Sequence, residues 1–176
     1  MQQHWLWIAM VCGLIVAVLS ILSSGTASGT GYNEAKRIVS CAGLDSCNAD
    51  FGLMYPFYKI MATAATYLTT IPGGLFAPSL ASGAGLGADL ALLFPLEMAS
   101  TVVILGMIGY FTGVVQTPIT AFVIVMEMTD NHELVLAMMA TALISAGVSK
   151  LVCRKSIYEA LAENLLASIS DEKSRR

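Results

Sequence analysis

The sequence predicts an all-α fold that crosses a membrane several times, with broken and short helices among its spans. Three observations carry that expectation. Of the 176 residues, 56% are hydrophobic and 12% are charged, and the mean hydropathy is +0.74. A soluble domain carries about 25% charge. The apolar runs approach the length of a spanning helix, about 20 residues, and leave room for roughly five or six hydrophobic segments. Prolines with glycine or threonine interrupt those runs twice, around Pro72 and Pro78 and again at Gln116-Thr117-Pro118.

The charge balance narrows the function classes. A net charge of −3 and a pI near 5.2 disfavour nucleic acid, which calls for basic patches. Any preference for anions must come from local donors, because the global field has the wrong sign. Six of the nine Lys and Arg lie at or after Lys150, and the positive-inside bias puts that end in the cytoplasm. No zinc spacing occurs, and no metal or cofactor is expected.

The elements follow in order. Residues 5–24 form a first spanning helix with Trp5 and Trp7 as an interfacial belt, too long and too poor in basic residues for a signal peptide. Residues 25–31, G-T-A-S-G-T-G, make a loop, and 32–41 a short polar helix with Glu34, Lys36 and Arg37. A polar loop follows to Gly52. Cys41 and Cys47 lie within it, and their pairing, left open by the sequence, would require an oxidising compartment. Residues 53–70 are a second apolar helix containing Lys59.

The next ten residues, I-P-G-G-L-F-A-P-S-L, break that helix and start another. Pro72 lacks a backbone donor, and Gly73 and Gly74 loosen the chain. Pro78 then suits the first turn of a new helix, whose free N–H groups need no internal partner. Such a start inside a membrane is a positive dipole end with unpaired donors, a ready anion site. No Lys or Arg lies in residues 71–80.

The helix after the break runs over 76–94 and ends at Pro95. Ser79, Gly83 and Gly87 recur every four residues as a small face for a close helix contact. Residues 100–115 form another apolar helix, slimmed by Gly106, Gly109 and Gly113. Thr117 can cap and Pro118 open a short helix to about Met128, too short to span. Asp130 and Glu133 suggest a capping box before a longer helix over 134–152. Residues 156–169 form an amphipathic helix, so residues 1–169 make the membrane domain and 170–176 a charged, disordered cytoplasmic tail.

Three stretches carry a family resemblance. They are Gly73-Gly74-Leu75-Phe76-Ala77-Pro78-Ser79; Gly113-Val114-Val115-Gln116-Thr117-Pro118-Ile119-Thr120 with Val125-Met126-Glu127-Met128-Thr129; and Ser156-Ile157-Tyr158-Glu159-Ala160-Leu161. In order and spacing the chain resembles the second half of the CLC family of voltage-gated chloride channels and chloride/proton antiporters, in its bacterial form. The resemblance implies one inverted repeat of that fold plus the terminal helix, in a multi-pass cell-membrane protein that transports chloride. It implies a central anion held by the backbone N–H groups of Leu75 and Phe76 and by the Tyr158 hydroxyl, with Pro72, Gly73, Gly74 and Pro78 supporting the break. It also implies a homodimer to which residues 119–128 and 134–152 contribute.

The family's first half carries a G-S-G-I-P loop and a gating glutamate in G-[KR]-E-G-P, neither of which occurs here. The missing N-terminal half is therefore the expected partner, beside chloride and the lipid bilayer, and alone the chain is expected not to conduct. Without the resemblance, Tyr158 reads as an interfacial aromatic. Lys59, Asp89 and Glu127 read as structural charges, with Lys59 snorkelling or paired to a carboxylate.

Two rivals come from other classes. One is a non-transporting accessory membrane subunit, which has no use for the broken helix. The other is an intramembrane serine protease using Ser79 or Ser82, whose only histidines, His4 and His132, lie outside the spans. No enzymatic activity is expected.

Overall fold

The fold is all-α. The computed structural model describes residues 2–42, 51–68 and 74–163, together with Leu166, and every regular element among them is helical. The helices are α1 (Gln2–Leu22), α2 (Tyr32–Cys41), α3 (Tyr55–Leu68), α4 (Phe76–Ala91), α5 (Ala99–Val115), α6 (Pro118–Thr129) and α7 (Val135–Val152). A 3-10 turn, Leu96–Met98, leads into α5, and a last helix, α8, covers residues 157–163. Pro72 and Gly73 of the expected break, Cys47 of the polar loop and the 170–176 tail lie outside the described residues.

Helix lengths divide spans from half-spans. Among the described residues two stretches are long and apolar enough to cross a membrane, Leu96–Val115 and Val135–Val152. By contrast, α3 has 14 residues, α4 has 16 and α6 has 12. At 1.5 Å per residue these reach only about 18–24 Å, short of a hydrocarbon core of about 30 Å. Helix α1 exposes Trp7, Leu14, Ile21 and Leu22 and packs on α3. A helix apolar on its open face suits lipid.

The most extensive packing joins α4 to α5. Gly83 and Gly87 of the small-residue stripe face Met107 and Val103, and Gly106 faces Gly87 in return. The approach is so close that a Cβ on Gly106 would lie 2.6 Å from the Gly87 Cα, and one on Gly87 2.7 Å from the Val103 Cα. Without a hydrophobic drive between helices in lipid, such backbone proximity supplies the association. Leu80, Ala84, Val103, Ile104, Met107 and Ile108 fill the buried seam around it.

The other side of α5 meets α7. Here Gly109 and Gly113 receive hydroxyls instead: Ser145 Oγ donates to the Gly109 carbonyl at 2.6 Å, and Ser149 Oγ to the Gly113 carbonyl at 2.6 Å. Gln116 ends α5 in the left-handed region, φ 59°, and its Nε2 donates to Ser149 Oγ at 3.1 Å and to the Cys153 carbonyl at 2.8 Å. The three glycines thus serve two interfaces, Gly106 one and Gly109 and Gly113 the other.

Several expected ends move. Helix α4 stops at Ala91, because Leu92 and Leu93 already turn back ahead of Pro95. Pro118 opens α6 as expected, but the Thr117 side chain makes no cap bond. Asp130 is not the start of α7. It ends α6 with φ 50°, and the Asn131 side chain accepts the Leu134 N–H at 3.3 Å in place of the capping box. A true box forms further on: Ser156 Oγ accepts the Glu159 N–H at 3.3 Å while Glu159 Oε2 accepts the Ser156 N–H at 3.1 Å. Lys155 pairs with Glu163 beside it, and that hydrogen-bonded carboxylate holds the ammonium above the ordinary lysine value.

The α4–α5 seam generates a stability prediction. Gly87→Ala and Gly106→Ala force two backbones apart and should each destabilise the purified protein in detergent by about 1–3 kcal/mol. Gly13→Ala, with nothing within 4 Å of its added Cβ, should leave the thermal midpoint unchanged or raise it slightly. Equal midpoints for all three variants would contradict the close crossing.

Candidate anion site at the start of helix α4

Helix α4 begins without a cap. Leu75 occupies the N-cap position at φ −80° and ψ −21°, and no side chain bonds the first turn. The first helical bond runs from the Ser79 N–H to the Leu75 carbonyl at 3.1 Å. Of the four donors a helix start leaves over, Pro78 supplies none, so those of Leu75, Phe76 and Ala77 remain. They have no acceptor among the described residues.

Burial fixes the start in place. Leu75 is buried, and the Phe76 ring packs edge-on against Phe111 of α5 with centroids 5.0 Å apart. Gly74 is exposed at the mouth. The start opens on a cavity of about 480 Å³. Its walls are Val16 of α1, Ala27 to Thr30 of the connecting loop, Lys59 to Tyr67 on one face of α3, and Gly74, Phe76, Ala77 and Pro78.

Few side chains in this cavity have a proton to offer. Thr63 and Thr66 donate theirs to the carbonyls of Lys59 and Ala62 within α3. Lys59 is 1% exposed and gives Nζ hydrogen bonds to the carbonyls of Ala27 at 3.1 Å, Ser28 at 3.3 Å and Gly29 at 3.0 Å. It does not snorkel, and among the described residues it pairs with no carboxylate. Loop carbonyls take the place that a counter-ion was expected to fill.

The remaining expected residues divide. Tyr158, 48% exposed on α8, does not line the cavity. Its phenol lies within electrostatic range of Tyr67, which does. Asp89 sits at the far end of α4 beside a separate cavity of about 200 Å³ shared with Tyr55, Ile38 and Phe51. Glu127 is exposed on α6. Ser82 donates to the Pro78 carbonyl at 2.9 Å, and among the described residues no histidine bonds Ser79 or Ser82. His132 instead lies 3.5 Å from Asp130. No cluster of metal-binding side chains occurs among the described residues.

Sequence reasoning missed the Lys59 clamp and the participation of Ala77 and Tyr67. A lone lysine in an apolar helix and a glycine-rich loop were both visible, but nothing in their spacing couples them.

Comparison with known proteins agrees with this architecture. The family profile described as Voltage gated chloride channel matches residues 1–150. The H(+)/Cl(-) exchange transporter ClcA of Salmonella typhimurium is 30% identical over 183 residues, covering 99% of this chain and 37% of that protein. ClcA of Yersinia pestis bv. Antiqua is 32% identical over 174 residues, covering 93% of this chain and 35% of its own length. The chain thus spans little more than a third of the curated relatives it matches. No solved structure matches it. With its profile matched over residues 1–150, the chain belongs to the voltage-gated chloride channel family.

Proposed function

We propose that this chain forms one wall of a chloride pathway in a membrane transporter, with a halide resting against the N–H groups of Leu75 and Phe76. The uncapped start of α4, opening on a half-open cavity, is the observation that carries this reading. A chloride ion in a membrane exchanges water for neutral donors and a helix dipole, which hold it firmly enough to enter and weakly enough to leave. Ala77 adds a further donor, and the Tyr158 hydroxyl on α8, which acts on Tyr67 of the cavity wall, is the side-chain donor of this reading. The relatives' names favour coupled proton exchange over passive conduction. The remaining length of such a protein supplies the opposite wall, and α6 and α7, with Ile119, Leu136 and Leu143 exposed, offer an apolar face to lipid or a second copy.

Two ends of the bundle support an orientation. Cys41 is disulfide-bonded, whereas Cys12 and Cys153 are free. The end of α4 shares its small cavity with Phe51, Gly52 and Leu53, so it lies towards the Cys41 loop. Helix α5 starts there, runs antiparallel to α4, and finishes at Gln116 against Cys153. A disulfide favours the oxidising side and basic residues favour the cytoplasm. The disulfide end and the Lys150, Arg154 and Lys155 end therefore face opposite compartments, with the C-terminus cytoplasmic.

Two experiments test these readings. Chloride-35 NMR of the purified chain in detergent should show saturable line broadening, and Leu75→Pro, whose φ suits proline, should weaken the apparent affinity about 10-fold or more by removing one donor to an ion. Absence of any saturable broadening would remove the anion site. In intact cells Cys153 should resist a membrane-impermeant maleimide and react only after permeabilisation; labelling from outside would reverse the orientation.

A further inference from the structure

Lys59 is a buried cation with no anion against it among the described residues. Three acceptors at 3.0–3.3 Å require three N–H donors, and only the protonated amine has them. Among the described residues no carboxylate forms an ion pair with it, and Glu34 acts on it only at longer range. The loop is wired to present those carbonyls. Thr26 and Ser28 hydroxyls donate to Ser23 and Gly25 carbonyls, and Ser23 Oγ accepts the Ala27 N–H. The carbonyls of 27, 28 and 29 are left to converge on the ammonium.

The junction is tight. Gly31, at φ 84°, passes so close that a Cβ there would lie 2.6 Å from Ala81 Cβ of α4 and 2.8 Å from Lys59 Cε. Lys59 therefore ties the loop and α3 to the flank of α4, on the same cavity that receives the start of α4. With all three protons committed to carbonyls, it has none for an ion in that cavity. Its charge nevertheless remains, in surroundings where a unit charge acts over many ångströms.

We propose that Lys59 is a positioning and field-setting residue for the anion cavity: it makes the potential there positive without ligating the ion, while holding the 27–29 loop as the cavity wall. This rests on the chloride reading above, but the potential can be measured without chloride binding. Gly74 lines the cavity, is exposed, and has nothing described within 4 Å of an added Cβ. In a chain carrying Cys12→Ala and Cys153→Ala, a Gly74→Cys thiol reports the local potential through its reaction rates with anionic and cationic methanethiosulfonates of similar size.

The anionic reagent should react faster than the cationic one by about 10-fold relative to a free thiol. Lys59→Gln, which keeps two donors for the loop and removes the charge, should abolish that preference, and Lys59→Arg should retain it. An unchanged preference in Lys59→Gln would overturn the proposal. If Lys59→Gln does not fold, loss of the preference in a folded Lys59→Arg would overturn it equally, since the charge would then be present without its effect. A chain that shows the preference but no chloride-dependent NMR broadening would retain the Lys59 assignment and lose the chloride site.

Discussion

The start of helix α4 leaves backbone donors with no acceptor among the described residues, and inside a bilayer no water could take them. Each unsatisfied polar group in hydrocarbon costs several kcal/mol. Helix α4 reduces the problem chemically, because Pro78 removes one of four orphan donors. It contains the rest by geometry, since Phe76 and Ala77 line a half-open cavity and Leu75 is buried beside them. An uncapped helix start in a soluble protein would be solvated and unremarked. Inside a bilayer such a start persists only with something polar to receive it.

Holding that start still is the work of the two flanks. On one side the glycine crossing with α5 brings backbones into contact, and the Phe76–Phe111 edge-on pair anchors the first residue of the helix. On the other side Lys59 fastens the connecting loop to α3 by three hydrogen bonds from a single atom. The two devices obey different physics. Close packing of small residues works through dispersion and needs no polar group. The lysine clamp works because loop carbonyls solvate an ammonium that lipid would expel.

The parts of this arrangement differ in how legible they were. Pro78 and the Gly83-Gly87 pair are local signals, since each fixes what its own turn of chain can do, and the structure places Pro78 in the first turn of α4 and the two glycines against α5. The helix ends were less legible. Asp130 and Glu133 had the spacing of a capping box, yet Asp130 adopted the left-handed conformation that ends α6, and Asn131 took over the cap. Ser156 and Glu159 had the same spacing and do form the box. Spacing alone cannot choose between them, because the direction in which the chain leaves the preceding helix decides which residue is free to cap. The Lys59 clamp was invisible for a stronger reason. Its acceptors are main-chain oxygens about thirty residues away, and carbonyls have no side-chain signature.

The same clamp bears on why the chloride site proposed here would tolerate a lysine. A free ammonium in the cavity would donate its protons to a halide and hold it through a charge-assisted bond, roughly twice as strong as a neutral one. Committing all three protons to the carbonyls of Ala27, Ser28 and Gly29 removes that bond and leaves only the field. The field favours any anion over any cation. The contact itself is left to main-chain amides of moderate strength. On the proposed reading, entry and release depend on separate features of the chain, the lysine for the sign of the charge admitted and the α4 amides for how long it stays.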